Sequence, residues 1–401
     1  MKNTIALTMA ITVGGFVHLG AQAQNLSIAM EQAWSRHPLA AASAARTDEA
    51  LARMESANGL TPAPASVSLA NVNDQLNANR GKQEWELEVA TPLWLPGQSA
   101  ARQNEATALQ AEMVTRQQAS RLQLAADLRE AWWALAGARN AQTTAQDRLH
   151  TANALALDVQ RRYKVGELAR VDTNLAQNEQ MAAQAELVDT QTAVALAEQN
   201  LQSLTGVAPP DTLPAEAGPA QTPPLEAHPL MRSANAATQL AQSRLQLAQH
   251  SSREAPTLAV RMLRSRSDLN DSYADALGIK LTVPFSSGSR VRQEDAGARA
   301  ELTQADAELA QVQQRVQFAL DSARRDKSAA ERQLAFAETR VQLTADNLVL
   351  AETSFALGES DLSTLLRARA AALEAHALRN RYQVGVSAAQ SRLNQSMGVL
   401  P

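Results

Sequence analysis

Apolar positions along this chain recur with two periods. Between Gln98 and Lys164, Leu124, Leu128, Trp132 and Leu135 fall at spacings of 4, 4 and 3, on one face of a helix. Much of the rest of that face is alanine, which favours helix and lets neighbouring helices approach closely. At four short runs the period drops to two. Trp85, Leu87 and Val89 alternate with Glu86 and Glu88, and Leu277, Ile279, Leu281 and Val283 alternate with Gly278, Lys280 and Thr282. Val67 with Leu69, and Leu258 with Val260 and Met262, form weaker runs of the same kind. Alternation predicts strands with unlike faces, and runs of about 9 or 10 residues match a tilted membrane strand.

Proline divides the pattern in two. No proline falls between Pro96 and Pro209, or between Pro284 and Pro401. The cluster Pro209, Pro210, Pro214, Pro219, Pro223, Pro224 and Pro229 separates the two stretches and reads as a linker, since proline breaks helices and stiffens loops. The halves also share wording. His37-Pro38-Leu39 recurs as His228-Pro229-Leu230 at an offset of 191, Pro92 as Pro284 at 192, Arg102-Gln103 with Ala106 as Arg292-Gln293 with Ala296 at 190, and Gly166-Glu167 as Gly358-Glu359 at 192. Four anchors in one order with so little drift indicate an internal duplication. The expected divisions are a segment 1–23, a first repeat 24–206, a linker 207–224 and a second repeat 225–401.

Each repeat is expected to run helix, strand, strand, long helix, glycine turn, returning helix. The first helices are placed at about 26–60 and 225–253. Gln98 to Lys164 is 67 residues, about 100 Å at 1.5 Å per residue. The 35 residues of 26–60 and the 37 of 170–206, laid end to end, give about 108 Å. Ser289 to Ala356 gives about 102 Å against about 99 Å for its own two partners. These lengths predict one continuous helix packed beside two shorter ones in line, a geometry for which a globular enzyme has no use.

The alternating runs fit either a half-buried soluble sheet or a membrane barrel with apolar side chains outward and charges inward. In the barrel reading Trp85, Leu87, Val89, Leu277, Ile279 and Leu281 face lipid, while Glu86, Glu88 and Lys280 face the lumen. Four strands cannot close a barrel, and outer-membrane barrels have 8 or more as a rule. A barrel must therefore be shared between chains, two or three of which would suffice.

Composition narrows the compartment. Lys2, the apolar run from Ile5 to Val17 and Ala21-Gln22-Ala23 describe a cleavable secretory signal with maturation near Gln24. No later run of 18 apolar residues is present, which leaves a soluble protein or one crossing a membrane as strands. There is no cysteine, hence no disulfide, thiol chemistry or lipid-accepting cysteine. The formal charge is −4, mild acidity without a basic cluster, which argues against nucleic acid. With aromatics at 3%, long alanine-rich helices are favoured over a thick globular core.

With these elements in place, the chain resembles the TolC-type outer-membrane factors of tripartite efflux pumps. The resemblance rests on the element order and on Thr91-Pro92-Leu93-Trp94-Leu95-Pro96-Gly97-Gln98, Arg161-Arg162-Tyr163-Lys164-Val165-Gly166-Glu167, Val171-Asp172 and Leu204-Thr205-Gly206. It covers essentially the whole chain after the signal. It implies a mainly α protein with a membrane β-barrel: a homotrimer whose twelve-stranded barrel in the bacterial outer membrane continues into a twelve-helix periplasmic tunnel. It also implies docking to a periplasmic adaptor and, through it, to an inner-membrane pump of the RND type. The His-Pro and Trp-Leu-Pro-Gly wording most resembles the heavy-metal branch, the CzcC-like proteins.

The sequence offers no catalytic or cofactor-binding constellation. Its six histidines are scattered and form no spaced metal-ligand set; His37 and His228 match by duplication, which favours a repeated structural role. Gly166 and Gly358 end the long helices where a left-handed residue is needed. With Val165, Glu167, Leu168, Leu357, Glu359 and Ser360 they mark the tips, which the resemblance makes the adaptor-docking end. Asp172 lies six residues after Gly166, where the resemblance suggests a gate carboxylate and elementary electrostatics suggests a helix-start acid. The matching position in the second repeat is Thr364, with Arg367 three residues on, so a purely acidic ring is not expected. Two rival classes predict other patterns. A periplasmic adaptor should show one hairpin flanked by split β-domains, and an envelope enzyme should show an acid–base or metal cluster.

Overall fold

The computed structural model describes residues 25–401 apart from Ala78, Ser252, Ser286 and Ser287; the expected signal, 1–23, lies outside the described residues. The repeated unit is present twice. The first copy runs α1 (Leu26–Arg36), α2 (Pro38–Ala57), β1 (Ser66–Asn73), β2 (Gln83–Pro92), α3 (Gln98–Lys164) and α4 (Arg170–Thr205). The second runs a 3-10 turn (Leu225–Ala227), α5 (Pro229–His250), β3 (Thr257–Arg266), β4 (Ala274–Thr282), α6 (Gly288–Ala356) and α7 (Leu362–Ser396).

The long helices match the sequence reading closely, and their ends have local causes. Gly97 precedes α3 in the left-handed region (φ 78°) and Gly206 closes α4 in the same conformation. The first helices differ from expectation. The expected helix 26–60 is two helices meeting at His37, whose backbone is extended (φ −70°, ψ 135°), because the residue before a proline is pushed out of the helical region. His37 then caps α2, its Nδ1 accepting from Leu39 N at 3.2 Å. The second repeat does the same: the expected helix 225–253 begins as a 3-10 turn, and α5 starts only at Pro229, with His228 Nδ1 accepting from Leu230 N at 3.2 Å. The paired His-Pro motifs are therefore helix caps.

All four strands form one antiparallel sheet in the order β1-β2-β3-β4. Each repeat supplies a hairpin, and the β2–β3 pairing joins the two. Among the helices, α3 packs against α1, α2 and α4 of its own repeat and against α5 and α7 of the second, while α6 packs against α5 and α7. The α1 and α4 helices also touch each other, so α3 lies beside shorter helices set in line.

The core sits half-way along α3. Leu124, Leu128, Trp132 and Leu135 pack on Leu26, Met30 and Trp34 of α1 and on Val194 and Leu201 of α4. Burying a large aliphatic or aromatic side chain stabilises by about 1.5–3 kcal/mol, so this level anchors the subunit. The segment 206–228 and the C-terminus wrap around it. Arg129, 3% exposed, binds both carboxylate oxygens of Glu216 (2.9 and 2.8 Å), the Val399 carbonyl (3.0 Å) and the Gln395 side chain. Asn394 donates to the Ala217 carbonyl at 3.0 Å, and Trp133 to Ser391 Oγ at 2.8 Å.

Candidate functional site

The features that could carry function lie at the two ends of the molecule. At one end, the sheet register sets a band of apolar side chains on one face against charged side chains on the other. One face carries the rows Val67–Val89–Val260–Ile279 and Leu69–Leu87–Met262–Leu277, with Leu258 and Leu281 paired beyond them. Trp85 stands on the same face opposite Arg264. All six side chains expected to face lipid are therefore on one surface, and they are exposed: Ile279 is 77% and Leu277 78% accessible.

The other face carries the charges. Glu86 pairs with Arg261 at 3.5 Å and Glu88 with Lys280 at 3.4 Å. Arg261 was not among the residues singled out from sequence, although the alternation of Leu258, Val260 and Met262 places it on the charged side. Gly278 lies opposite it, and a Cβ there would come within 3.0 Å of Arg261 Nε, so the glycine gives the arginine room to lie across the sheet. Among the described residues both edges, β1 and β4, lack a further partner strand, and every residue of β1 is exposed.

At the far end, two turns are built alike. Gly166 (φ 86°) and Gly358 (φ 77°) sit in the left-handed region, and the following residues close the helices: Glu167 N donates to Arg162 O and Glu359 N to Ser354 O, each at 2.9 Å. This is the Schellman pattern, which glycine permits without strain. Val165 and Leu357 project outward, 72% and 69% exposed. Glu359 is exposed, Glu167 pairs with Arg162 at 3.1 Å, and Leu168 turns inward. Leu168 meets a small core of Leu155, Val159, Phe355, Leu362 and Leu365, over which the Arg162 guanidinium stacks 4.8 Å from the Phe355 ring. The Ser360 hydroxyl is buried without a partner.

The gate candidates are placed as follows. Asp172 is the third residue of α4, and its carboxylate accepts from Ala169 N at 3.0 Å. Thr364 occupies the same place in α7, but there the acid is Asp361 at the cap, accepting from Thr364 N at 2.9 Å and from the Ser363 hydroxyl at 2.6 Å. Those hydrogen bonds, first Ser363 and then Thr364, with Arg367 nearby, hold the Asp361 carboxyl down at about 2. Arg367 lies along its own helix, donating to Thr364 Oγ1 at 3.2 Å and Ser363 O at 3.3 Å. Within the chain Asp172 and Arg367 each have local partners and do not pair with each other. Asp361 escaped the sequence reading because the acid moves from the third helical position in one repeat to the cap in the other.

Among the described residues no helix is long and apolar enough to cross a membrane, and no group of three or more His, Asp or Glu could hold a metal ion.

No sequence-family model matches the chain, and no curated protein sequence matches it either. Solved structures do. The outer membrane protein VceC of Vibrio cholerae superposes with a TM-score of 0.76 at 18% identity, over 93% of this chain and 96% of that one. The CmeC outer membrane channel of Campylobacter jejuni gives 0.74 at 14%, over 94% and 86%. CusC, whose structures describe transmembrane channel formation, gives 0.77 at 14%, over 94% and 92%. The protein therefore has the fold of bacterial outer-membrane channels. Its architecture is the one these channels share, and its sequence motifs resemble those of the TolC-type outer-membrane factors.

Proposed function

We propose that this chain is one protomer of a homotrimeric efflux duct in the bacterial outer membrane, with a helical tunnel in the periplasm. The observation that carries the proposal is the sheet: four strands with two free edges, an exposed apolar face, a charged opposite face, and helices of about 100 Å leaving from one end only. Exposed edge strands invite further pairing, and joining β4 of one copy to β1 of the next removes every edge at once. Three copies give twelve strands, a size at which the lumen holds water. The lipid then meets Trp85, Leu87, Val89, Leu277, Ile279 and Leu281, and the lumen meets Glu86, Glu88, Lys280 and Arg261.

In this reading the tips around Gly166 and Gly358 dock a periplasmic adaptor, which links the duct to an inner-membrane pump of the RND type. The two long hairpins, with a single four-stranded sheet and no separate β-domains among the described residues, favour the duct over the adaptor itself. The CzcC-like wording of the sequence supports a heavy-metal ion as one candidate cargo beside organic compounds. A duct of this kind needs no cofactor, because its work is to line a path.

The test is the mass of the purified complex in detergent together with conductance in planar bilayers. The expected result is three protomers and discrete channel openings. A stable, folded monomer without conductance overturns the duct.

A further inference from the structure

Two rows of the outward sheet face lie beyond the apolar band, and they are not apolar. Next to the row Leu69–Leu87–Met262–Leu277 stands Asn71–Trp85–Arg264–Asp275, and past it Asn73–Gln83–Arg266. Successive residues on one face are about 6.6–6.8 Å apart, so both arginines fall within two rows of the band. This edge of the sheet is the one joined by the turns 74–82 and 267–273; the helices leave from the opposite edge.

The two guanidiniums are held together. Arg264 Cζ lies 4.9 Å and Arg266 Cζ 5.0 Å from the centre of the Tyr273 ring. The Tyr273 hydroxyl is fixed by Gln83 Oε1 at 2.6 Å, and Arg266 Nε donates to the Gly81 carbonyl at 3.2 Å. Compensation by acids is thin. Asp74 accepts from the N–H groups of Arg80 and Gly81, and Asp268 from that of Asn270. Among the described residues Asp275 is the one acid paired with either guanidinium, 3.8 Å from Arg264 Nε, and that pair is more than half exposed on both sides. Two cations fastened to one ring without a matching pair of anions form a site prepared for an external anion.

We propose that Arg264, Arg266 and Tyr273 bind the phosphorylated headgroup of an anionic lipid in the outward leaflet, one site per protomer. The proposal rests on the duct reading, which puts this face in lipid and this edge toward the cell exterior. Trp85 in the same row is the residue type expected where hydrocarbon gives way to headgroups. The arginines are placed to reach the headgroup phosphates of a lipid whose acyl chain packs on Leu87 and Met262.

The experiment uses the full oligomer in zwitterionic detergent, with lipid A, phosphatidylethanolamine and inorganic phosphate as probes and native mass spectrometry as readout. Lipid A is expected to remain bound, with phosphatidylethanolamine and inorganic phosphate unable to displace it at equal concentration. R264Q with R266Q is expected to weaken lipid A at least tenfold while the oligomer stays intact, and R264K with R266K to retain most of it. Equal lipid A retention in the glutamine variant overturns the proposal, and so does displacement by equimolar inorganic phosphate, which would mark a site for small anions. The absence of cysteine separates this failure from that of the duct: a single cysteine placed at Leu87 and labelled with a fluorophore should be quenched by brominated lipid. Without quenching, the duct reading itself falls; with quenching but no arginine dependence, only the lipid site does.

Discussion

The long helices α3 and α6 hold the same place in the two repeats, yet their surroundings differ. In α3, 67 residues long, fifteen residues are buried, among them Leu128, Trp132 and Leu135 at 0% exposure. In α6, 69 residues long, only Val316, Ala323, Ala337 and Phe355 are buried. Phe318, Phe336, Leu343, Val349 and Leu350 remain 62–74% exposed. The same element order occurs twice, and the second long helix is left largely uncovered. The tips differ in the same spirit. Residues 161–170 carry Arg161, Arg162, Lys164 and Arg170 against Glu167, whereas the matching 353–362 carry only Glu359 and Asp361. The two long helices have unlike neighbours: α3 is packed inside the chain, while α6 keeps an open face that, in the proposed duct, an adjoining copy covers.

The largest expected effect breaks the comparison directly. Trp132→Ala should cost about 3–5 kcal/mol, read as a fall in the denaturation midpoint, because the cavity opens in a fully packed level. Phe318→Glu with Phe336→Glu, on the exposed face of α6, should change the stability of the dissociated chain by less than about 0.5 kcal/mol and yet abolish the oligomer in native mass spectrometry. Oligomers that survive the glutamates would place the subunit contact elsewhere.

Next in size is the tie between α3 and the linker. Arg129→Ala leaves Glu216, whose side chain is 10% exposed, without its partner, and breaking a buried pair from one side costs about 3–5 kcal/mol. Adding Glu216→Gln should restore part of the loss, since the uncompensated charge is then gone. A fully additive double mutant would show that the two side chains do not act together.

The His-Pro caps sharpen the comparison by pH. Burial pushes the His228 imidazole below its usual range, and it shares a cavity of about 400 Å³ with Arg315, Asp326 and Arg392. A depressed pKa means that the unfolded chain takes up the proton first. The stability is therefore full above pH 6.5 and declines as pH falls toward the lower folded value. Protonation also removes the Nδ1 acceptor that caps α5 and sets a cation at a helix N-terminus. His228→Asn, which keeps a capping oxygen, should flatten the melting temperature below pH 6.5. An unchanged pH slope would assign the loss to other groups.

Much of this was legible in the sequence where the signal is local. Gly97 and Gly166 frame α3, and the period-two runs mark the strands at Trp85–Val89 and Leu277–Leu281. The break at His37 was not legible, because apolar positions continue on both sides of it and only Pro38 tells against one helix. Long-range pairings left no local trace. Nothing around Arg129 names Glu216, 87 positions away, and nothing in β2 names β3, more than 160 positions on. At the tips, the sequence located both turns by their glycines but could not say which residue would cap α7, since Asp361, Ser363 and Thr364 are all residue types that start helices.

The smallest expected effect concerns these tips and the duct's closed state. In the oligomer, Asp172 of one hairpin and Arg367 of a neighbouring subunit would lie at similar depth with opposite charge, and a link between them would hold the tunnel narrow. Each side chain already has a local partner: Asp172 the Ala169 N–H at 3.0 Å, Arg367 the Thr364 hydroxyl at 3.2 Å. An exposed ion pair adds only about 0–1 kcal/mol, so the gate rests on repetition around the ring. Asp172→Asn keeps an oxygen for the Ala169 N–H, which preserves the helix start and isolates the charge. Arg367→Ala removes the other partner. Either change should raise single-channel conductance in planar bilayers, and the double mutant should add little, because one link is broken in both cases. Unchanged conductance in both single mutants, with trimers intact, would reduce Asp172 to the helix-start acid that its bond to Ala169 already makes it.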